Sequence, residues 1–445
     1  MSETGQARAA RWRNIVLGGA SAGVARATAV ICSLVQVPLA LRFLGVEGFG
    51  LWVTLQATVA FLAMLDFGLG YRLQNHVAQS AATSRLGEIR HAVRAVLLLT
   101  AGLGALLAVI ALAAGPVFWS TLLGVDDPRL RAATAPHLGW LVALGCGTLP
   151  ANIGMRLASG LQKNWLVGAS QALVGLVNLA IVAACAIAGS PAVLLLAGTL
   201  AVPLVANTIL TVLLLGRLPP ALSAQPEPSP IARWVREGLP FFVPQLSASL
   251  RVNLPPFIIA ALLGAAAVTP YNLIQRLLNF IAQPQVWLLD PLWAAYTDAV
   301  SRADYAWIKR ALRFSLAGSA VFTLLPVLSA LWWGPGFLQW WTGYPAAMLP
   351  AGLLLWLVVW QAGLVLTQPF SYCLNGLGRM RGQLFYGTLS VALSLVAMAL
   401  ACPRYGLGLA VAPAALIMLL FNLPCAYLDV CQVARRWSES GNSLA

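Results

Sequence analysis

Charged residues are scarce in this chain. Only 9% of its 445 residues are Asp, Glu, Lys or Arg, and 13 are acidic, whereas 60% are hydrophobic and the mean hydropathy is +0.82. An ordinary soluble domain carries about a quarter charged residues. Because no water-soluble fold can hide so much apolar surface, the composition excludes a soluble enzyme or a soluble binding module.

Several signatures of site chemistry are also missing. The seven cysteines form no C-x-x-C pair, and His76, His91 and His137 show no metal-ligand spacing, so we expect no metal site and no resident cofactor. No Gly-rich loop followed by Lys and Ser or Thr is present, which argues against ATP hydrolysis. The longest segments between apolar runs are only about 20 to 25 residues long, too short for an aqueous catalytic domain.

Long apolar runs are what the chain has in abundance. Each is about 20 residues long, enough for a helix to cross a hydrocarbon layer of about 30 Å. None shows the period-two alternation of a membrane β-barrel. We therefore predict an all-α polytopic membrane protein with about twelve transmembrane helices. The predicted spans lie near Ile15 to Leu41, Phe49 to Leu69, Ala95 to Phe118, Leu138 to Leu157, Trp165 to Ala188, Pro191 to Leu215, Leu239 to Leu263, Tyr271 to Leu292, Phe314 to Trp333, Leu349 to Leu374, Leu384 to Cys402 and Leu407 to Leu428.

The basic residues are distributed unevenly among the loops. There are 27 Lys and Arg, and the formal net charge is +14. If odd-numbered helices run outward, about 20 of these residues fall in cytoplasmic segments, as the positive-inside rule requires. This distribution indicates a lipid bilayer as the partner, not nucleic acid, and it predicts that both termini are cytoplasmic.

The chain is divided nearly in two by a proline-rich hydrophilic segment, residues 217–237. Displacing the second half by about 219 positions reveals an internal repeat. The matched positions are Leu44 and Gly45 with Leu263 and Gly264, and Gly115, Pro116, Phe118 and Gly124 with Gly334, Pro335, Phe337 and Gly343. Leu65 and Asp66 match Leu289 and Asp290 only after a short insertion.

This repeat predicts the domain organisation. An N-terminal six-helix bundle covers residues 1–216, a cytoplasmic linker covers 217–237, and a C-terminal six-helix bundle covers 238–445. Because each half has an even number of spans, the two bundles share one orientation. We expect them to be related by a pseudo-twofold axis along the membrane normal, with a central cavity between them.

Three arginines remain within the predicted spans once Arg156, at the end of the fourth span, is counted with the cytoplasmic segments. Arg26 is in helix 1, Arg251 in helix 7 and Arg276 in helix 8. An arginine at the bilayer centre costs about 2.5 to 3.5 kcal/mol, so it usually faces a wet cavity, a charged partner or a ligand. Helices 1 and 7 are equivalent in the repeat, and their arginines are therefore predicted to converge on an anionic ligand. The alternatives are ion pairs with Asp66 or Asp290, or snorkelling to the interface.

Amide side chains accompany these arginines, and on helix 8 they follow a helical period. The predicted cavity-lining residues are Gln245, Asn253, Asn272, Gln275, Asn279 and Gln283. Hydrogen bonding between helices is the competing interpretation. Asp66 and Asp290 are candidates for H⁺ or Na⁺ coupling, although helix capping or pairing with loop arginines explains their positions equally well.

Several short motifs give the chain a family resemblance. They are Phe43-Leu44-Gly45-Val46-Glu47-Gly48-Phe49-Gly50, Leu65-Asp66-Phe67-Gly68-Leu69-Gly70, Ser159-Gly160-Leu161-Gln162, Asn375-Gly376-Leu377-Gly378 and Tyr405-Gly406-Leu407-Gly408-Leu409-Ala410. In this order and spacing, the chain resembles polysaccharide transporters of the multidrug/oligosaccharidyl-lipid/polysaccharide (MOP) flippase superfamily, and among them the O-antigen flippases.

The resemblance implies a function in the bacterial inner membrane. The substrate would be an undecaprenyl-pyrophosphate-linked oligosaccharide, such as an O-antigen, capsule or exopolysaccharide repeat unit, flipped to the periplasmic leaflet by alternating access. The buried arginines would receive the pyrophosphate, and polysaccharide polymerase machinery would act downstream. Two other functions stay open: a multidrug and toxin exporter of the same fold, and a membrane glycosyltransferase or polymerase.

Overall fold

The computed structural model describes residues 3–82, 86–218, 231–302 and 304–442 of the chain. Within these ranges the secondary structure consists of helices joined by short turns, with no strand. The prediction of an all-α membrane protein is therefore confirmed. The chain separates into two compact units, residues 1–249 and 250–445, and the division falls inside one long helix.

The described part of the first unit contains nine complete helices and the beginning of a tenth. Their bounds are α1 Glu3–Leu62, α2 Leu69–Ala82, α3 Leu86–Ala113, α4 Gly115–Leu122, α5 Pro128–Cys146, α6 Thr148–Ala151, α7 Ile153–Gly160, α8 Asn164–Ala188, α9 Ala192–Gly216 and α10 Ile231–Leu263. Residues 219–230 of the predicted linker lie outside the described residues. The last part of that linker, from Ile231, is already helical in α10.

The second unit, as far as it is described, contains the rest of α10 and seven further α-helices. These are α11 Ala265–Ser301, α12 Tyr305–Ser319, α13 Leu325–Thr342, α14 Leu353–Gly376, α15 Met380–Ala410, α16 Ala412–Ile417 and α17 Leu423–Asn442. Two π-helical turns, Ala320–Leu324 and Met418–Asn422, connect α12 to α13 and α16 to α17. Each π-turn ends two residues before a proline, Pro326 or Pro424, which cannot donate the next helical hydrogen bond.

The membrane-spanning helices agree with the predicted count. Ten helical segments of the described chain are long and apolar enough to cross a bilayer. The first, Gly23–Leu62, has 40 residues and contains two predicted spans, because Gly45 interrupts the helix with φ 71° and ψ 179°. The predicted eighth span lies in α11, which is 37 residues long but too polar to belong to the ten. Together these segments account for about twelve crossings.

Backbone conformation supports the internal repeat at two of its matched positions. Gly45 and Gly264 both have positive φ with extended ψ, at 71° and 179° and at 84° and 160°. This region of conformational space is essentially restricted to glycine. Gly124 and Gly343 also share positive φ, at 64° and 76°. The two halves therefore share the same bends between helices, as well as the same residues at these positions.

The repeat diverges where its alignment needed an insertion. In the first unit the second span ends at Leu62, and a turn of residues 63–68 separates it from α2. In the second unit the corresponding chain is continuous helix through Asp290 to Ser301. At this point the helix ends in the first unit, whereas the corresponding helix of the second unit continues to Ser301.

The first familial motif builds a corner of the first unit. Oε1 of Glu47 accepts the backbone N–H groups of Asp126 and Asp127, at 2.5 and 2.8 Å, which ties this corner to the beginning of α5. Two residues on, the buried ring of Phe49 packs edge-on against Trp52, whose indole N–H donates to Thr199 Oγ1 at 3.0 Å. The motif therefore joins three segments that are distant in sequence.

The fourth span is broken into α5, α6 and α7. The backbone is reorganised near Asn152, because the N–H of Met155 bonds to the Asn152 carbonyl three residues back. The carbonyl of Ala151 accepts the hydroxyl of Thr211 on α9 at 2.9 Å. Membrane helices tolerate such breaks where neighbouring side chains satisfy the freed backbone groups, as Thr211 does here.

Candidate anion-binding site

The two arginines of the seventh and eighth spans belong to the second unit. Arg251 lies on α10 and its side chain is partly buried. Within the part of the chain that the structure describes, it makes no hydrogen bond and no ion pair. The alternative in which Arg251 pairs with Asp66 or Asp290 therefore finds no support. A guanidinium held in a membrane protein without a counter-charge has its donors available for an anion.

Arg276 is oriented by its own helix. Its Nε donates to Oδ1 of Asn272, one turn earlier on α11, at 2.8 Å. The side chain is partly buried, and it makes further contacts. Because Asn272 holds one edge of the guanidinium, the contact limits the rotamers open to a long and otherwise flexible side chain.

The third arginine, Arg26, lies on α1 in the first unit. Its side chain falls outside the described residues. The convergence of Arg26 with Arg251 therefore stays a prediction.

The remaining amides of the helix 8 stripe differ in burial. Asn279 is exposed, and its backbone carbonyl accepts the Nε2 of Gln283 at 3.4 Å. Gln275 is partly buried beside them. Gln285 is buried instead, and its Nε2 donates to Ser319 Oγ at 3.1 Å and to the Val365 carbonyl at 2.6 Å. Bonding between helices thus describes Gln285, which lies outside the predicted set, whereas Asn279 remains accessible.

On α10, the two predicted cavity amides fall on either side of the boundary between the units. Asn253, in the second unit, is partly buried and has a polar contact. Gln245, in the first unit, donates from Nε2 to the sulfur of Met64 at 2.8 Å, while its Oε1 is buried without a hydrogen-bond partner. The nearby ring of Phe242 contacts Phe67 with centroids 5.5 Å apart. The part of α10 that carries Phe242 and Gln245 is therefore anchored to the turn of residues 63–68.

Asp66 occupies the centre of that turn. Its buried carboxylate accepts the N–H groups of Gly68 at 2.9 Å and Gly70 at 3.1 Å, which caps the N-terminus of α2. Burial raises the pKa of this carboxyl, and the two hydrogen bonds and the charge of Arg156 oppose that rise. The geometry is that of a helix cap, and the role of Asp66 in ion coupling stays a hypothesis.

Asp290, the repeat counterpart of Asp66, has a different environment. It lies exposed on α11 and accepts the hydroxyl of Tyr372 on α14 at 2.8 Å. It has a further contact as well. The two acids therefore do not form equivalent sites, although their sequence positions correspond.

Sequence reasoning missed two residues near Asp66, Arg156 and Tyr71. Arg156, assigned to a loop by its charge, lies on α7 with its guanidinium carbon 3.7 Å from the ring centroid of Tyr71. A cation over an aromatic face is stabilised by the ring quadrupole. A side chain on Gly70 would collide with both Asp66 and Arg156. The sequence pattern contained no signal for this arrangement, because the fourth span was predicted as one uninterrupted helix.

Comparison with known families gives a match over most of the chain. A family model described as "Polysaccharide biosynthesis protein" matches residues 16–285. No curated protein matches the sequence significantly.

Solved structures share the fold at low identity. The chain is 15% identical to an inward-facing multidrug resistance MATE family transporter of the MOP superfamily, with a TM-score of 0.70 over 95% of this chain and 96% of that one. It is 14% identical to the MATE multidrug transporter DinF-BH, with a TM-score of 0.65 over 94% and 95%. A MOP superfamily transporter from Pyrococcus furiosus, described as having a binding pocket of reverse polarity that suggests a different function, is 16% identical, with a TM-score of 0.55 over 96% and 94%.

Proposed function

Because this chain belongs to the family of polysaccharide biosynthesis proteins, in the MOP superfamily, we propose that it flips an undecaprenyl-pyrophosphate-linked oligosaccharide across the bacterial inner membrane. The repeat unit, from an O-antigen, capsule or exopolysaccharide, moves from the cytoplasmic to the periplasmic leaflet by alternating access. Arg26, Arg251 and Arg276 bind the pyrophosphate. Both termini face the cytoplasm, and polysaccharide polymerase machinery receives the product.

The observation that carries this proposal is the state of Arg251. A charged guanidinium within a candidate membrane span, Gln245–Leu263, has no hydrogen bond or ion pair in the described chain. Such a group is expensive in a bilayer unless a ligand or water compensates it. A pyrophosphate supplies several anionic oxygens, and the planar fork of arginine is suited to binding phosphate oxygens in pairs. The donors of Arg251 therefore match the charged part of the proposed substrate.

Arg276 supports the same chemistry from α11. Asn272 holds its Nε, so the guanidinium is oriented before a ligand arrives, which lowers the entropic cost of binding. The exposed Asn279 and its neighbour Gln283 add neutral groups of the kind that hydrogen-bond to sugar hydroxyls. An anion site flanked by amides is consistent with a glycan attached to a pyrophosphate.

The multidrug exporter is the main competing function, since several proteins of this fold are described as multidrug transporters. At 14% and 15% identity they establish the shared fold and not a shared substrate. The positive charges of Arg251 and Arg276 would repel a cationic drug. A transporter of the same fold is described as having a binding pocket of reverse polarity, so pocket charge is not constant among these proteins.

The decisive experiment measures flipping in proteoliposomes. Purified protein is reconstituted with a fluorescent lipid-linked pyrophosphoryl oligosaccharide, and accessibility of the label on the two leaflets is followed in time. We expect Arg251→Ala and Arg276→Ala each to lower the flipping rate by about 10- to 100-fold, because a hydrogen bond to a charged group contributes about 1.5 to 3 kcal/mol. Arg251→Lys should retain part of the activity, since it keeps the charge but loses the fork.

Arg302→Ala is the matched control. Arg302 is an exposed arginine of the same unit, and its Nε lies 2.9 Å from Oδ2 of Asp298. Its loss should leave the rate unchanged, because an exposed ion pair contributes little. Full activity of a well-folded Arg26→Ala, Arg251→Ala double variant would refute the assigned role. Formation or cleavage of a glycosidic bond in the same vesicles would favour the glycosyltransferase or polymerase instead.

A further inference from the structure

A pair of basic residues recurs at matched positions of the two halves. Arg90 and Arg94 on α3 correspond to Lys309 and Arg313 on α12, at the displacement of about 219 positions that relates the halves. In each helix the two residues are four positions apart, which places them on one face and one turn apart. The repeat therefore keeps the spacing of these charges as well as their sign.

The two helices also turn the same positions towards the interior of their units. Ile89 and Ala92 on α3 are buried, and so are their counterparts on α12, Ile308 and Ala311. These residues alternate with the basic pairs along each helix. Because the buried side chains fix the rotation of each helix about its axis, the basic pair of each unit lies towards the outside.

Three of the four basic side chains keep an unpaired charge within the described chain. Arg94, Lys309 and Arg313 are exposed, and among the described residues they form no hydrogen bond and no ion pair. Arg90 is partly buried, and its Nη1 donates to the carbonyl oxygen of Leu218 at 3.2 Å, which holds it beside the end of α9. The donors of the three exposed side chains are therefore available to an anion.

Acidic residues near the two pairs are engaged in other contacts. Helix α12 contains no acid, and the carboxylate of Asp304 just before it accepts the N–H of Trp307 at 2.9 Å. On α3 the one acid, Glu88, interacts electrostatically with His76 of α2. Arg310 adds a further exposed cation to α12. Both faces therefore carry an excess of positive charge.

Exposed apolar side chains continue each charged face further along the helix. Leu98, one turn beyond Arg94, is 75% exposed. Phe314, one turn beyond Arg310, is 64% exposed, and Val321, two turns further, is 54% exposed. A soluble anion has no use for such a surface. A phospholipid presents a charged phosphate followed by apolar acyl chains, and this is the order in which charge and apolar surface follow each other on both helices.

We propose that the basic pairs of α3 and α12 each bind an anionic phospholipid, one in each unit. The lipid phosphate lies against the basic side chains, and the acyl chains lie along the exposed apolar side chains that follow. Both pairs are near the beginning of candidate spans, Gly87–Ala113 and Tyr305–Thr342. The positive-inside rule assigns these ends to the cytoplasmic leaflet, whose negative surface attracts basic residues. The proposal is independent of the proposed flippase function.

The test is native mass spectrometry of the full-length protein, titrated in detergent with phosphatidylglycerol and, separately, with zwitterionic phosphatidylcholine. We expect two molecules of phosphatidylglycerol to bind the wild type more tightly than any phosphatidylcholine. A basic residue near an anionic lipid surface contributes about five-fold in affinity, so removing two should weaken one site about 25-fold. The Lys309→Ala, Arg313→Ala double variant should therefore lose one of the two lipids, and the Arg90→Ala, Arg94→Ala double variant should lose the other.

Two control variants separate the position of the charges from their number. The Arg129→Ala, Arg404→Ala double variant removes two exposed arginines that the positive-inside rule leaves on the outer side, and it should bind both lipids like the wild type. The Lys309→Arg, Arg313→Lys double variant keeps both charges and should also retain both lipids. Monodisperse elution on size exclusion verifies the fold of each variant.

Several outcomes would overturn the proposal. They are equal affinity of the wild type for the two lipids, undiminished phosphatidylglycerol binding in well-folded variants that lack a basic pair, and an equal loss in the outer control. Displacement of phosphatidylglycerol by millimolar inorganic phosphate would indicate a site for a soluble anion and would also reject the lipid. Since lipid binding and flipping are measured separately, an Arg251→Ala variant that still flips would refute the flippase assignment without affecting these sites.

Discussion

Replacing Gly408 by alanine should destabilise the second unit through a single backbone clash. Gly408 belongs to the last familial motif, just after Gly406 bends the chain with φ 66° and ψ −179°. A Cβ atom at position 408 would lie 2.1 Å from the carbonyl oxygen of Ala351. An ordinary contact of this kind begins near 3.4 Å, so one segment must move by about 1.3 Å (3.4 minus 2.1).

That movement is resisted by the turn that carries Ala351. Gly352 holds a φ of 81°, and hydrogen bonds of 3.1 Å from Leu353 to Pro350 and 3.0 Å from Trp356 to Gly352 fix the beginning of α14. Forcing an extra methyl group into a packed site costs about 1 to 3 kcal/mol. The better helix propensity of alanine offsets at most about 1 kcal/mol of this. We expect a net loss of about 1 to 2 kcal/mol.

The assay is thermal denaturation in detergent, followed by fluorescence-detected size exclusion. Gly387→Ala is the matched control, because Gly387 lies on the same helix and no atom lies within 4 Å of the position that its new methyl group would take. Gly387→Ala should match or exceed the wild-type melting temperature, and Gly408→Ala should fall clearly below it. Equal melting temperatures for the two variants would refute the close approach of Gly408 to Ala351.

Three further variants test contacts elsewhere in the chain. Glu47→Ala should cost about 1 kcal/mol, because the N–H groups of Asp126 and Asp127 lose their acceptor; Glu47→Gln, which keeps one amide oxygen, should lose less in the same melting assay. Gln285→Leu should cost about 1 to 3 kcal/mol by leaving a buried carbonyl unpaired, and an unchanged melting temperature would contradict that bond. Burial raises the pKa of the Asp66 carboxyl, so the ionised carboxylate is less favourable in the folded protein than in the unfolded chain. The stability of the wild type relative to Asp66→Asn should therefore decrease as pH rises from about 4 toward 7. A relative stability that rises with pH would show that the capping bonds outweigh burial.

Much of the fold could be predicted because its signals are local. A run of about 20 apolar residues crosses a bilayer wherever it occurs in the chain, so hydropathy alone located the spans. The glycines at the two bends, Gly45 and Gly264, could be matched from the sequence, although their positive φ is seen only in the structure. The three arginines stood out for the same reason, because a charge inside an apolar run is visible without any knowledge of its neighbours.

Contacts between distant segments could not be predicted in this way. The positive-inside rule placed Arg156 among the cytoplasmic residues, but only packing places it over Tyr71, 85 positions earlier in the chain. The hydrogen bond from Gln245 Nε2 to the sulfur of Met64, 181 positions away, has no counterpart in the sequence pattern. These outcomes depend on which helix faces which, and a single sequence contains no direct record of that choice.

By itself, the amino-acid sequence determined the number of spans, the repeat and the residues that are costly to bury, because each follows from short-range periodicity and composition. Only the tertiary structure decided how the buried polar groups are used. Asp66 and Asp290 occupy matched positions, but one caps α2 and the other accepts a tyrosine hydroxyl from α14. In the sequence, Asp429 is only a lone acid near the end of the chain. The fold brings it against Gly382, where an added Cβ would lie 2.7 Å from its Oδ2, because such contacts depend on neighbours in space.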